Sequence, residues 1–175
     1  MQITINPYDK KSIDEAIKKV KAYKDQIAAK EAEMVRRLAM LGWSVATVRF
    51  DIAEYAGTND VKCRFDSSGS TATIYAEGEA VGFIEFGTGV RHAAYPQDKD
   101  YIPPAHGTYG KGLGANPGWW DYYGDPGNKG HVITTKSGKT KVRTSGNEPA
   151  MAMYEAINQM AEQIAEIAKE VWSSD

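Results

Sequence analysis

A chain of 175 residues with 42% hydrophobic and 25% charged side chains has the size and composition of one soluble globular domain. No window approaches the ~20 consecutive apolar residues of a membrane span, and the single cysteine, Cys63, excludes an intrachain disulfide. A net charge of -2 gives no global attraction for a polyanion. The charge is nevertheless uneven: residues 1–50 carry +4, 51–87 carry -5, 88–147 carry +4 and 148–175 carry -5. Alternating signs suit head-to-tail contact between copies, although ordinary solvated faces produce them too. The opening Met-Gln-Ile-Thr-Ile-Asn-Pro has no basic stretch followed by an apolar run, so the expectation is a soluble protein made in the cytoplasm.

From Ile13 the apolar positions run Ile13, Ile17, Val20, Tyr23, Ile27, then Met34, Leu38, Leu41, Val45 and Val48, in steps of three and four with one gap at Glu31. This spacing predicts one long helix over 12–46, with Ser12 as its cap and Asp14 and Glu15 in its first turn. At 1.5 Å per residue such a helix is roughly 50 Å long, more than a small core covers. Gly42 marks the expected bend or early end, because glycine costs about 1 kcal/mol in a helix interior.

Three strands are expected next, over 61–66, 71–77 and 81–86, separated by Ser67-Ser68-Gly69-Ser70 and Gly78-Glu79. Thr71, Thr73 and Tyr75 alternate with Ala72, Ile74 and Ala76, the pattern of an antiparallel meander with one face free to pack on the helix. Cys63 falls in this region, where a half-buried thiol is expected rather than a reactive one.

Residues 88–147 hold most of the glycine and proline and almost no periodicity. An insertion this long points to a functional or unstructured loop. Within it, 131–135 and 140–144 flank Lys136-Ser137-Gly138-Lys139 and read as a small hairpin projecting from the body. The last helix is expected to start at Asn147-Glu148-Pro149 and to carry an apolar stripe of Met153, Ile157, Met160, Ile164, Ile167 and Val171. The fold class is therefore α+β, a single domain over 1–175 in which two long helices pack on a small antiparallel sheet.

Several constellations invite a chemical reading. Gly110-Lys111-Gly112-Leu113-Gly114 lacks the spacing and the strand-to-helix context of a phosphate loop. His92, His106 and His131 with Cys63 offer nitrogen and sulfur ligands, but no pair has the short spacing that holds a metal on one turn. Glu77, Glu79 and Glu85 are candidate glycosidase carboxylates. Glu77 and Glu79 flank a turn and are expected in solvent, and Glu85 is expected to face water or to meet a cation across an interface. No nucleophile and base are suitably spaced, so neither an enzyme nor a cofactor is expected. Trp119, Trp120, Tyr122 and Tyr123, with Tyr109, form the densest aromatic patch, suited to packing on its own domain, to a protein contact or to stacking on sugars.

Three segments occur in an order that resembles a family of bacteriophage minor tail or tail-completion proteins of siphovirus-like phages. They are Phe83-Ile84-Glu85-Phe86-Gly87-Thr88-Gly89-Val90, Trp119-Trp120-Asp121-Tyr122-Tyr123, and Asn147-Glu148-Pro149-Ala150-Met151-Ala152-Met153-Tyr154-Glu155-Ala156. The resemblance spans nearly the whole chain, with one departure: many members carry P-x-D-T-G-x-L-R before the sheet, and residues 49–64 here do not. It implies a structural, non-enzymatic virion subunit at the neck or upper end of a tail. That subunit would belong to a homo-oligomeric ring, expected as a hexamer, joining head and tail beside other neck and tail proteins. The interface is expected at Glu85, Phe86 and Thr88 and at Trp119, Trp120, Tyr122 and Tyr123. The +4 charge of 88–147 suits weak, sequence-independent contact with passing DNA. One alternative is a carbohydrate-binding module using the loop aromatics. Another is a hydrolase working through Glu85 and a loop histidine, which the spacing disfavours.

Overall fold

The computed structural model describes residues 3–89 and 117–173. Helix α1 runs over Lys10–Asp51, longer at both ends than its periodicity indicates. Asp9, not Ser12, is its cap: the Asp9 carboxylate accepts from the Lys11 N–H at 3.0 Å. The Ser12 hydroxyl instead accepts from the Asn6 N–H at 2.9 Å, folding the preceding segment back on the helix. The early end considered at Gly42 does not occur. Gly42 is buried in an unbroken helix, where a Cβ would lie 2.6 Å from Ile74 Cδ1 and 2.7 Å from Met160 Sδ. The glycine lets a strand and a second helix approach the α1 backbone closely, and this offsets its poor helix propensity.

Strands β1 (Lys62–Ser68) and β2 (Thr71–Glu77) form an antiparallel hairpin in which Phe65 faces Ile74, with the turn closing at Gly69. The hairpin lies on α1 through Trp43, whose indole N–H donates to the Cys63 carbonyl at 3.0 Å and whose ring is 5.9 Å from that of Phe65.

The expected third strand is a helix. Residues Val81–Phe86 form the short helix α2, with Ile84 and Glu85 both buried, a consecutive pair that strand alternation does not give. Helix formation here is set from a distance. The Asp60 carboxylate accepts the N–H groups of Glu79 (2.8 Å) and Ala80 (3.0 Å), satisfying donors that open the turn, and these bonds hold its pKa below the usual carboxylate range.

Within 117–147 the chain builds a second sheet from β3 (Trp120–Tyr122), β4 (His131–Thr134) and β5 (Thr140–Thr144), in the order β3-β5-β4. The β4-β5 hairpin forms where expected but does not stand out from the body, since β5 is the central strand and its Val142 and Thr144 are buried; β3 was not expected. The β3-β4 connection is fastened to the end of α1. Asn128 accepts from the Tyr55 N–H at 2.7 Å and donates to the Ala53 carbonyl at 3.0 Å, and Lys129 pairs with Glu54 at 2.8 Å. Residues 90–116, which include Tyr109, the Gly110 to Gly114 run, His92 and His106, lie outside the described residues.

Helix α3 occupies Ala152–Ser173, starting later than Asn147-Glu148-Pro149 suggests. Met151, at φ 51, turns the chain into it, and its carbonyl accepts the first helical bond from Glu155. Helix α3 runs antiparallel to α1, with ion pairs Arg49–Glu155 (3.5 Å) and Arg37–Glu170 (3.3 Å) and a bond from Lys30 Nζ to the Trp172 carbonyl (3.4 Å). The core gathers where the end of α1 meets α2 and the start of α3, around Ala46, Phe50, Ala53, Ala80, Ile84, Ala152 and Ala156. Because the end of α3 lies beside Lys30, residues 10–29 of α1 continue past it for roughly 30 Å. Among the described residues no helix is long and apolar enough to cross a membrane.

Candidate interaction surfaces

The segment Glu85-Phe86-Gly87-Thr88-Gly89 is built into the body. Glu85, expected to face solvent or an interface, is only 4% exposed. Its carboxylate accepts the N–H groups of Met153 (3.0 Å) and Tyr154 (3.2 Å), so a side chain from α2 serves the first turn of α3. The placement follows from the helical, rather than extended, path of Val81–Phe86, which turns Glu85 inward against orphan donors at the positive end of a helix. Phe86 is half-buried. Thr88 pairs with Asn147 through both backbones (2.9 and 3.2 Å) and through a side-chain bond of 2.6 Å, and the buried Asn147 amide donates to the carbonyls of Phe83 and Glu148. Gly146, at φ 90, permits this junction, since a Cβ there would run into the Thr88 carbonyl. These residues lock α2, β5 and α3 together.

The aromatic cluster divides across the second sheet. The Arg143 guanidinium stacks 3.7 Å over the Trp119 ring while holding Asp121 in a two-point pair at 2.7 and 3.0 Å. That pair keeps the Asp121 carboxyl below its usual range. Lys141 Nζ lies 5.2 Å from the centre of the Tyr123 ring. Trp120 and Tyr122 are half-buried, and the Tyr122 hydroxyl donates to the Asp125 carbonyl at 2.7 Å. Trp119 and Tyr123 therefore present rings already stacked by cations from β5 instead of one open aromatic platform.

A cleft of about 340 Å³ beside α1 and β1 is lined by residues including Thr47, Phe50, Asp51, Cys63 and Arg64. Cys63 is half-buried, as expected, and burial pushes its thiol pKa up despite an opposing hydrogen bond from Thr47, which keeps it a neutral thiol at physiological pH. His131 is exposed on β4. Among the described residues no group of three or more His, Cys, Asp and Glu side chains is placed to hold a metal ion.

An exposed apolar stripe runs along the first half of α1, around the buried Ala16. Ile13, Ile17 (48% exposed), Val20 (54%) and Tyr23 continue, past the end of α3, the stripe whose later members Leu38, Leu41 and Val45 are half-buried. The spacing of three and four residues places these four side chains on one face of the projecting segment. Helix α3 carries a second stripe. Its expected apolar face is only partly used: Val171 is buried, but Ile157 (59%) and Ile164 (46%) are open, because Ala152 and Ala156 make the close contact with α1 and turn the isoleucines aside.

No family model, curated protein or solved structure matches this chain.

Proposed function

We propose that this protein is a non-enzymatic structural subunit of a tailed-phage virion, working in the neck or tail-completion ring that joins head and tail, with copies of itself as its first partners. The observation that carries this reading is the projecting half of α1, with Ile13, Ile17, Val20 and Tyr23 exposed along one face. Four large apolar side chains in a continuous stripe on a segment longer than its own core are the mark of an element completed by another molecule. The α+β architecture and the ordered motifs of the resemblance add support. Residues 88–147, net +4, are the part suited to neighbouring neck proteins and to weak contact with passing DNA.

The carbohydrate-binding alternative finds less support, since Arg143 occupies one face of Trp119. Sedimentation velocity of the full chain over a range of concentrations tests the proposal: a discrete multimer supports it, and a monomer at every concentration contradicts it. Tail particles assembled with and without the protein give the second test, because a neck subunit is required for head-tail joining and not for head filling.

A further inference from the structure

Resting on the reading of the chain as a self-assembling subunit, the geometry points to a definite occupant for the α1 stripe: the exposed face of α3 in the next copy. The two surfaces match in length and chemistry. Residues 10–29 of α1 and the 22 residues of α3 each span roughly 30 Å of helix. On α3, Ile157, Ala161, Ile164, Ala168 and Trp172 follow one another at steps of three and four, with Ile157, Ile164 and Trp172 all exposed. Alanines between the isoleucines let a facing helix approach closely and leave gaps for Ile17 and Val20 to enter.

Charge selects this pairing over the symmetric one. Residues 10–30 carry seven lysines against Asp14, Glu15 and Asp25, whereas α3 carries four glutamates against Lys169; Glu155 and Glu170 already pair with Arg49 and Arg37 of the same chain, so the negative charge α3 offers a neighbour rests on Glu162 and Glu166. Two α1 stripes facing each other would bring lysine-rich helices side by side, and two α3 faces would do the same with glutamates; α1 on α3 brings opposite signs together. The contact is also the kind a ring needs. Each copy offers one patch and receives on a different one, so the interface is heterologous, and repetition closes a ring or extends a filament instead of stopping at a dimer.

The test uses the full chain with Ile17→Lys on the projecting part of α1 and Ile164→Lys on α3, two exposed positions at which a lysine leaves the core untouched. Thermal melting followed by circular dichroism confirms that each variant folds. At a concentration where the wild type is assembled, light scattering is expected to show each variant alone at the 19.2 kDa of one chain. An equimolar mixture is expected to form a 1:1 complex of twice that mass, since the Ile164→Lys copy keeps an intact α1 and the Ile17→Lys copy keeps an intact α3. Wild-type assembly with an unaffected Ile164→Lys variant would overturn the α1-α3 contact while leaving self-assembly standing. So would two monomeric variants that fail to combine. A wild type that stays monomeric throughout would remove both the contact and the functional reading beneath it.

Discussion

Replacing Glu85 separates a structural role from an interface role. In the folded chain its carboxylate accepts two backbone N–H groups, from Met153 and Tyr154, at the first turn of α3, and the side chain is almost wholly enclosed. Losing a helix N-terminal acceptor costs about 0.5–2 kcal/mol, and leaving an enclosed donor without a partner costs about 1–3 kcal/mol. The two figures describe overlapping losses, so Glu85→Ala is expected to destabilise by about 2–4 kcal/mol, the favourable charge at the positive helix end included. Glu85→Gln keeps one carbonyl acceptor and is expected to lose about half of that, by the same hydrogen-bond energies. In a chain of this size each kcal/mol moves Tm by about 2–4 °C, which places the alanine variant about 5–15 °C below the wild type. Urea unfolding followed by circular dichroism measures both variants, with an unchanged slope expected because the same surface is exposed. A loss under about 1 kcal/mol for Glu85→Ala, or glutamine as damaging as alanine, would refute the assignment. Wild-type stability accompanied by altered assembly would return Glu85 to an interface.

Three further outcomes follow from the packing and the electrostatics. Gly42→Leu is expected to destabilise by about 1–3 kcal/mol through overpacking against Ile74 and Met160, whereas Gly42→Ala is expected near neutral, since about 1 kcal/mol of helix propensity offsets the displacement of two movable chain ends; denaturant midpoints decide. Acid is expected to weaken the fold: hydrogen bonds from Arg36 and then Arg37 lower Glu33 from 4.5 to about 2, and Asp60 and Asp121 are lowered as well. Carboxylates lowered in the folded state stabilise above their ordinary values and lose that contribution as pH falls through the folded ones, so stability should decline from about 4.5 towards about 2, with Asp60→Asn flattening part of the decline in a melting series. Cys63 should react with a thiol-specific disulfide reagent far more slowly in the native chain than in urea at the same pH, since burial both raises its pKa and limits access; equal rates would contradict its placement.

The elements legible in the sequence are those whose side chains repeat. Periodicity places α1, α3 and the β1-β2 and β4-β5 hairpins close to their observed positions, because each is decided by its own alternation or stripe. Val81–Phe86 was illegible for a physical reason: a short apolar run fits a buried strand or a buried helical turn equally, and the choice falls to Asp60, some 20 residues earlier in the chain. The strand Trp120–Tyr122 is three residues long, too short to alternate, and exists through pairing with Thr140–Thr144. Glu85 and Thr88 read from the sequence as interface residues, whereas both make bonds inside the chain, because their partners, Met153, Tyr154 and Asn147, are brought to them by tertiary structure alone. The projecting stripe of α1 was foreshadowed by helix length. The open stripe of α3 was not, since six apolar positions read as one buried face until Ala152 and Ala156 are seen making the contact.

The central claim is that copies of this chain assemble through surfaces that each copy leaves exposed. Light scattering of the purified full chain across a concentration series, with the Ile17→Lys variant alongside, tests it most directly. The account predicts a discrete species at six times the 19.2 kDa of one chain, lost in the Ile17→Lys variant. A mass equal to one chain at every concentration would contradict it.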